Sequence, residues 1–492
     1  MEAIEKNEKM IVYGDYDVDG ITSITVLKRF LSERNVEIDT YIPNRLDEGY
    51  GLNKNAIKEI SEKQYTLMIT VDCGISGIEE IDYANSLGID VVITDHHEPA
   101  EKLPNAVAIV DCKRKDNKYG FRELAGVGVV FKLIQALSIR MGLDEKEYLK
   151  YLDIVCLGTI SDIVPLIHEN RVIAKLGHKL TQMTKNLGLM SVIQSSGYTQ
   201  IDSNTISFGV APRINACGRM GHQDEALQVF LSNDRQEVIE LTEKLNEYNR
   251  KRQETEKNIE KEVIEQIHKN NLEKANSIVL GKAGWHHGVI GIVASKITDM
   301  YYKPCILICF EEDNGKGSGR SIPGFDLHEA LSKCAGTIDK YGGHAMAIGI
   351  NVSKDKFEDF RKEFEEVVSQ SKINELTPII EIDKQIELDD INMNIIKSLD
   401  LLKPFGEGNR MPLFSIKNVK IDSIRTLSEG KHLKVTLKNR INFIDAIGFN
   451  LGHFANELLI GDKINIVGSL EINSFNGCDR VQINLKDIMK SL

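Results

Sequence analysis

Three aspartates stand at alternating positions in Gly14-Asp15-Tyr16-Asp17-Val18-Asp19-Gly20, between a short apolar run and the start of a helical repeat. Extended or turning backbone can aim such a set at one point, and carboxylates crowded together repel unless cations lie between them. A solvated acidic turn is the plainer alternative. An EF-hand-like loop fits poorly, because Val26 stands where the closing glutamate of a calcium loop belongs when counting starts at Asp15. Further along, Val71-Asp72-Cys73-Gly74, Thr94-Asp95-His96-His97 and Ser161-Asp162-Ile163-Val164-Pro165 add carboxylates and two adjacent imidazoles. A lone aspartate such as Asp162 is more often a cap or turn residue, whereas adjacent histidines behind an acid are less ordinary. Together these motifs offer a mixed oxygen and nitrogen shell, which suits Mn2+ or Mg2+ better than a thiolate metal. Two cations sharing one carboxylate would activate a water and stabilise a leaving oxygen, the chemistry of phosphoester hydrolysis.

The elements that must hold these residues follow from the hydrophobic pattern. Short β-branched runs at Met10–Tyr13, Thr66–Val71, Asp90–Thr94 and Ala106–Val110 alternate with amphipathic segments, which predicts an α/β fold with a parallel sheet covered by helices. Each acidic or histidine motif of the sheet region follows a strand's C-terminal end, the edge where open α/β sheets bind ligands. Ile24, Leu27, Phe30 and Leu31 repeat at helical spacing, so a helix is expected to begin directly after Gly20. From Arg235 to Lys274 the chain has no Gly or Pro and is rich in Glu, Lys, Gln, Asn and Arg, which predicts a long, largely solvated helix with Arg250, Lys251 and Arg252 as a basic spot. A second α/β region is expected from Ser277, with strands Ile278–Leu280 and Ile306–Phe310 and a helix around Asp355–Ser369. After Pro412 the alternation of Leu433, Val435 and Leu437, with β-like runs at Phe443–Phe449, Lys463–Val467 and Arg480–Leu485, predicts a small antiparallel barrel.

A chain of 492 residues has room for two or three domains, and its 42% hydrophobic and 27% charged content is that of a globular protein. No apolar stretch reaches the length of a membrane helix and the charged start lacks a secretory signal, so a cytoplasmic protein without membrane contact is expected. The eight cysteines form no Cys-x-x-Cys pair and are expected to be reduced thiols. The net charge of −12 does not exclude a nucleic-acid partner, because cations would offset clustered aspartates and a phosphate chain is attracted by the local groove.

GDYDVDG, VDCG, DHH and SDIVPL, in this order, resemble the four motifs of the DHH phosphoesterase superfamily. The resemblance implies that Asp15, Asp17 and Asp72 hold one metal, that Asp19, Asp72, His96 and Asp162 hold the other, and that Asp72 bridges them. It implies a phosphate contact for His97 and an acid that orients a histidine for Asp95. Tyr41-Ile42-Pro43-Asn44-Arg45, Arg213-Ile214-Asn215-Ala216-Cys217-Gly218-Arg219, Gly317-Ser318-Gly319-Arg320-Ser321, Gly342-Gly343-His344 and Pro404-Phe405-Gly406-Glu407-Gly408-Asn409 are similar to motifs of the RecJ-like single-strand exonucleases.

That resemblance spans nearly the whole chain and implies a DHH catalytic domain over 1–230, a connecting helix over 231–275, a DHHA1-type substrate-binding domain over 276–375, a connector over 376–411 and an OB-like nucleic-acid-binding barrel over 412–492. By the same resemblance Arg45, Ser318 and Arg320 hold the 5′ phosphate of a DNA end, and Arg219 and His344 contact phosphates near the metals. Glycines around Ser318 would let backbone N–H groups approach that phosphate, unless they form a plain tight turn. Phe443, Phe449 and Phe475 could stack bases, though core packing is the commoner task for aromatics. The implied activity is 5′→3′ hydrolysis of single-stranded DNA to mononucleotides in repair and recombination, by a monomer with two divalent cations, Mn2+ ahead of Mg2+, on DNA that a helicase and a single-strand-binding protein would present. Relatives acting on short oligoribonucleotides or cyclic dinucleotides lack the long helix and barrel, and an inactive replication scaffold predicts eroded metal positions, whereas all six are present. Three departures from the family pattern are the ten residues ahead of Ile11, Arg410 where proline is common, and Cys217 where alanine is common.

Overall fold

The computed structural model describes residues 1–491 except 46, 47, 50, 199, 441, 476 and 477, and leaves out the side chains of 374, 475 and 478. The chain divides into two compact units, residues 1–164 with 168–378, and residues 165–167 with 379–492.

In the first unit, β1 (Met10–Gly14) leads into α1 (Val18–Ser32), followed by β2 (Asp39–Tyr41), β3 (Leu67–Val71), β4 (Asp90–Asp95) and β5 (Ala108–Asp111). All five strands are parallel, in the order β2-β1-β3-β4-β5. Four are the expected apolar runs. The fifth, β2, is short and partly exposed, so its sequence, Asp-Thr-Tyr, carries little hydrophobic signal. The order reverses between β1 and β3, and a sheet of this topology opens a crevice at that switch point.

The helix expected after Gly20 starts earlier. Asp17 is its N-cap, accepting the N–H groups of Asp19 at 2.8 Å and Gly20 at 3.1 Å, so Asp19 lies inside the first helical turn. From Val18 to Leu27 α1 is buried all round, beneath α2 (Gly126–Arg140) and α3 (Leu152–Ser161). Gly158 permits the approach of α3, since a Cβ there would lie 2.3 Å from Thr22 Oγ1 and 3.0 Å from Asp19 Oδ1.

After α4 (Ala211–Arg219) comes α5 (Arg235–Lys269), which at 35 residues is roughly 50 Å long. It is less solvated than its composition suggests. One stripe, Val238, Leu241, Leu245, Ile259, Val263 and Ile267, is buried along its length. The C-terminal part of that stripe joins the core of a second sheet, formed by β6 (Ile278–Ala283), β7 (Cys305–Glu311), β8 (Asn314–Arg320), β9 (Lys340–His344) and β10 (Ala347–Ser353) in the order β6-β7-β8-β10-β9. Helix α6 (His287–Tyr301) covers one face of that sheet through Val289, Ile290 and Val293. Phe360 and Phe364 of the expected charged helix, observed at Phe357–Ser369, pack on the other face.

The second unit is a mixed sheet that closes on itself, in the order β11 (Lys384–Gln385), β12 (Phe414–Leu427), β13 (His432–Lys438), β14 (Phe443–Gly448), β16 (Cys478–Lys490) and β15 (Lys463–Phe475), with β12 also pairing to β15. Strands β12 to β16 thus form a five-stranded barrel. The preceding segment is no bare connector, because Ile386, Leu388, Ile391 and Ile396 belong to the barrel's core. Seven cysteines, Cys73, Cys112, Cys156, Cys217, Cys305, Cys309 and Cys334, are buried and free. Among the described residues no helix is long and apolar enough to cross a membrane.

Candidate metal centre and phosphate pocket

β1, β3 and β4 are neighbours in the first sheet, and adjacent strands lie about 4.8 Å apart, so residues just past their carboxyl ends converge. Asp15 follows β1, Asp72 follows β3, and His96 follows β4. Asp72 has a φ of +59°, a left-handed conformation uncommon for a residue with a Cβ, and it turns the carboxylate into the crevice. His96 Nε2 lies 3.2 Å from Asp72 Oδ1, 3.6 Å from Asp162 Oδ2 and 3.8 Å from Asp19 Oδ2. Asp162 reaches this point from the C-terminal end of α3. Ligand atoms of Asp15, Asp17 and Asp72 lie within 4.8 Å of one another, as do those of Asp19, His96 and Asp162, and those of Asp72, His96 and His97. Asp72 therefore belongs to clusters on both sides of the crevice.

The residues fit divalent cations. Asp15 Oδ1 is buried without a hydrogen-bond partner, and Asp72 Oδ1 and His96 Nε2, although 3.2 Å apart, form no hydrogen bond with each other or with another group, a costly arrangement for a protein to keep unless a ligand satisfies them. Burial, with Asp17 next, pushes the Asp19 carboxyl up to about 7, and burial and then Asp19 push Asp162 up to about 9. Burial also raises Asp15 and Asp72 and presses His96 down to about 3. Such a cluster carries its full negative charge only opposite a cation. Asp95 behaves differently. Burial works against its charge, but the His97 ring at 2.7 Å and the N–H groups of Ile75 and His96 hold it below the usual carboxylate range. The histidine that Asp95 orients is thus His97, whose own value is raised against its burial by that bond.

The supports of this cluster are two main-chain donors that no motif marks, and one residue of the Arg213–Arg219 motif. Asp19 is pinned by the N–H groups of Gly126 at 2.6 Å and Val127 at 2.8 Å, at the start of α2. A Cβ on Gly126 would fall 2.7 Å from both Cβ and Oδ1 of Asp72. Asn215 Oδ1 accepts the Val18 N–H at 3.2 Å, so α4 buttresses the acidic loop from the far side.

α4 also links the acidic loop to a group of cations. Gly218 packs on Tyr16, with space for a Cβ closed by Tyr16 O at 2.8 Å, and the Arg45 guanidinium lies 5.1 Å from the centre of the Tyr16 ring. Arg219 donates to Gly288 O at 2.8 Å, at the start of α6. Burial, and then the charges of Arg45 and Arg252, hold the Arg219 guanidinium below its ordinary value, and burial followed by Arg45 does the same to Arg320. Arg320 donates to Ser318 Oγ at 2.9 Å and to Gly319 O at 2.8 Å. The Arg45 charge thus bears on both Arg219 and Arg320, and Arg320 is bonded to Ser318, so these residues form a candidate basic group.

The glycines around Ser318 do not present N–H groups to that group. β8 is a strand paired on both sides, with β7 and β10, and Gly317 and Gly319 leave room for Ile350 and Ile348 instead. His344 is exposed on β9, in the same row of the sheet as Arg320 but with Ala347 of β10 between them. No described contact takes His344 to the carboxylates. The basic spot on α5 divides as well: Arg250 is exposed and Lys251 pairs with Glu247 at 2.8 Å, while Arg252 is turned inward onto Asn249 at 2.6 Å and Glu256. Phe443 and Phe449 are 61% and 56% exposed on the barrel, so neither serves its core. The Phe475 side chain lies outside the described residues.

Comparison with known proteins extends along the whole chain. Residues 9–159 match the DHH family, N-terminal domain, residues 274–370 the DHHA1 domain and residues 382–487 the RecJ OB domain. The chain is 39% identical over 492 residues to the single-stranded-DNA-specific exonuclease RecJ of Bacillus subtilis, covering 99% of this chain and 62% of that protein. It is 32% identical over 510 residues to the protein of the same name in Haemophilus influenzae, covering 98% of this chain and 88% of the relative. The crystal structure of RecJ in complex with Mn2+ from Thermus thermophilus superposes with a TM-score of 0.87 at 29% identity, covering 100% of this chain and 70% of that one. A structure of exonuclease RecJ bound to manganese matches with a TM-score of 0.67 at 32% identity, over 76% of this chain and 95% of that chain.

Proposed function

The chain belongs to the RecJ family, and from that premise we propose that it is an exonuclease that degrades single-stranded DNA from the 5′ end and releases 5′-mononucleotides, in repair and recombination. The observation that carries this reading is the pairing of two features: a carboxylate and imidazole cluster with buried atoms left unpartnered, and a candidate basic group joined to it through Tyr16.

Asp15, Asp17 and Asp72 would hold one divalent cation and Asp19, Asp72, His96 and Asp162 the other. Bound cations, Mn2+ in preference to Mg2+, supply positive charge opposite the scissile phosphate and lower the pKa of a nearby water. The protein's own groups do the rest. Asp95 keeps His97 oriented beside the cluster as a phosphate contact, and Arg219 holds a further phosphate. Arg45, Ser318 and Arg320 hold the terminal 5′ phosphate, and a pocket that accepts only a chain end sets both the exonucleolytic mode and the polarity. His344, exposed on the strand beside Ala347, would likewise contact a phosphate near the cations. On the barrel, Phe443 and Phe449 offer exposed faces on which bases can stack.

The test incubates the protein with Mn2+ and single-stranded DNA labelled at one end or the other. A 5′ label is expected to appear at once as mononucleotide, while a 3′ label moves through progressively shorter fragments, and duplex DNA is spared. Internal cuts, digestion from the 3′ end, or full activity after Asp72→Ala would overturn the reading.

A further inference from the structure

We propose that Glu48 is a positioning residue that fixes the distance between Arg45 and the metal cluster, and that this distance makes the released product one nucleotide long. The proposal rests on the assignment of Arg45 to the terminal 5′ phosphate.

Glu48 closes the turn that carries Arg45. Its Oε2 accepts the Asn44 N–H at 2.6 Å and its own N–H returns to Asn44 O at 2.8 Å, so Arg45 lies inside a short loop bonded across its neck. Oε1 of the same carboxylate accepts the Tyr41 hydroxyl and the Asn53 side-chain amide, each at 2.8 Å. Tyr41 ends β2, and Asn53 is the N-cap of the helix Lys54–Glu62, where its Oδ1 holds the Ala56 N–H at 2.7 Å. The loop is thereby tied to a regular element on either side of it.

These ties continue into the sheet that carries the acids. The Asn53 amide also donates to the Tyr13 hydroxyl at 3.2 Å, and the Tyr13 ring stacks on that of Tyr41 with centroids 5.1 Å apart. Tyr13 is fully buried on β1, two residues before Asp15. From Asp15 to Arg45 the path thus runs through one strand, two stacked rings and one carboxylate. The positive charge of Arg45 bears on Asp15 as well as on Arg320, so it stands between the metal cluster and the basic group.

The plain alternative is that Glu48 only stabilises a surface loop. Its three donors are uncharged, and they come from the turn, from β2 and from a helix start, so the carboxylate locks the turn against its frame without neutralising the arginine three residues before it. Reacting groups need such support to stay within a fraction of an ångström of their productive geometry. An enzyme that grips a terminal phosphate cuts at the bond its cations reach, so product length follows from the separation of grip and cations.

The experiment follows a 5′-phosphorylated oligodeoxynucleotide, labelled at that phosphate, through a single turnover on the full chain with Mn2+, and resolves the first labelled products by length. The unmodified protein is expected to give mononucleotide alone. Glu48→Ala should release dinucleotide and trinucleotide beside it and lower the single-turnover rate about ten-fold or more. Glu48→Gln, which keeps one acceptor oxygen, should give a smaller share of longer products. Asn53→Asp keeps the helix cap but sets a carboxylate against Glu48, so it should reproduce the pattern even where Glu48→Ala folds poorly. Arg45→Ala controls the premise. If it leaves both the affinity for the phosphorylated strand and the product lengths unchanged, the assignment of Arg45 fails and the proposal with it. If Arg45→Ala weakens binding of that strand while Glu48→Ala and Asn53→Asp still yield mononucleotide alone, at whatever rate, the assignment stands and the spacing role of Glu48 is overturned.

Discussion

Gly126 has no side chain, yet it decides where two carboxylates stand. Its N–H holds Asp19 at 2.6 Å, and its missing Cβ leaves the space that Asp72 fills. Gly126→Ala should displace Asp72, with an overpacking cost of about 1–3 kcal/mol. Because small misplacements of a reacting group are amplified, kcat/KM should fall by at least about ten-fold. Calorimetric titration with Mn2+ and single-turnover cleavage check this, and unchanged affinity and rate would show that the crevice has slack. The acids also imply a pH dependence. Free aspartates titrate near 4, whereas folded Asp19 is raised to about 7 and Asp162 to about 9 by burial. Acids raised in this way contribute stability that is complete below about 4 and is lost as pH climbs through the folded values. Cations need the same groups ionised, so the rise in Tm on adding Mg2+ should be larger at about pH 8.5 than at about pH 6, as thermal melts with and without the ion would measure. Equal shifts would mean that the acids are already charged.

At the scale of elements, strand-end motifs were legible because β1, β3 and β4 each carry their chemistry one or two residues past a β-branched run. The contacts of the supports were not, because they act across long stretches of chain: Gly126 is 107 residues from Asp19, and Asn215, although it stands in a recognisable motif, is 197 from Val18. No local pattern announces such partners. β8 was illegible for another reason. Asn-Gly-Lys-Gly-Ser-Gly-Arg has the composition of a turn, but its glycines exist to admit Ile308, Ile348 and Ile350 from the flanking strands. Long-range packing overrode the local preference. A paired substitution tests this. A Cβ on Gly319 would sit 2.7 Å from Ile348 Cδ1 and 3.0 Å from Leu327 Cδ2, whereas one on Gly349 of the neighbouring strand meets nothing within 4 Å. Gly319→Ala should lower stability by about 1–3 kcal/mol, and Gly349→Ala should stay within about 0.5 kcal/mol of the parent. Urea denaturation distinguishes the two, and equal losses would refute the packing account.

For the whole molecule, the division into two units has a thermodynamic consequence. The barrel's core is drawn from Ile386 to Ile488, and the cores of the two α/β sheets from residues up to Ile373, with no residue in common. Separate cores of this kind are the basis on which domains unfold as units of their own, so unfolding need not be two-state. Every proposed metal ligand lies in the unit that holds residues 1–164. A ligand stabilises only the folded state that binds it, by about 2.7 kcal/mol at a hundred times its dissociation constant. Scanning calorimetry of the full chain should therefore resolve two transitions, and Mn2+ should move one of them upward by several degrees while leaving the other in place. Asp72→Ala should cancel that movement without touching the second transition. If instead a single transition shifts as a whole, the barrel unfolds together with the catalytic unit, and the separate cores are coupled through contacts strong enough to make the 492-residue chain cooperative.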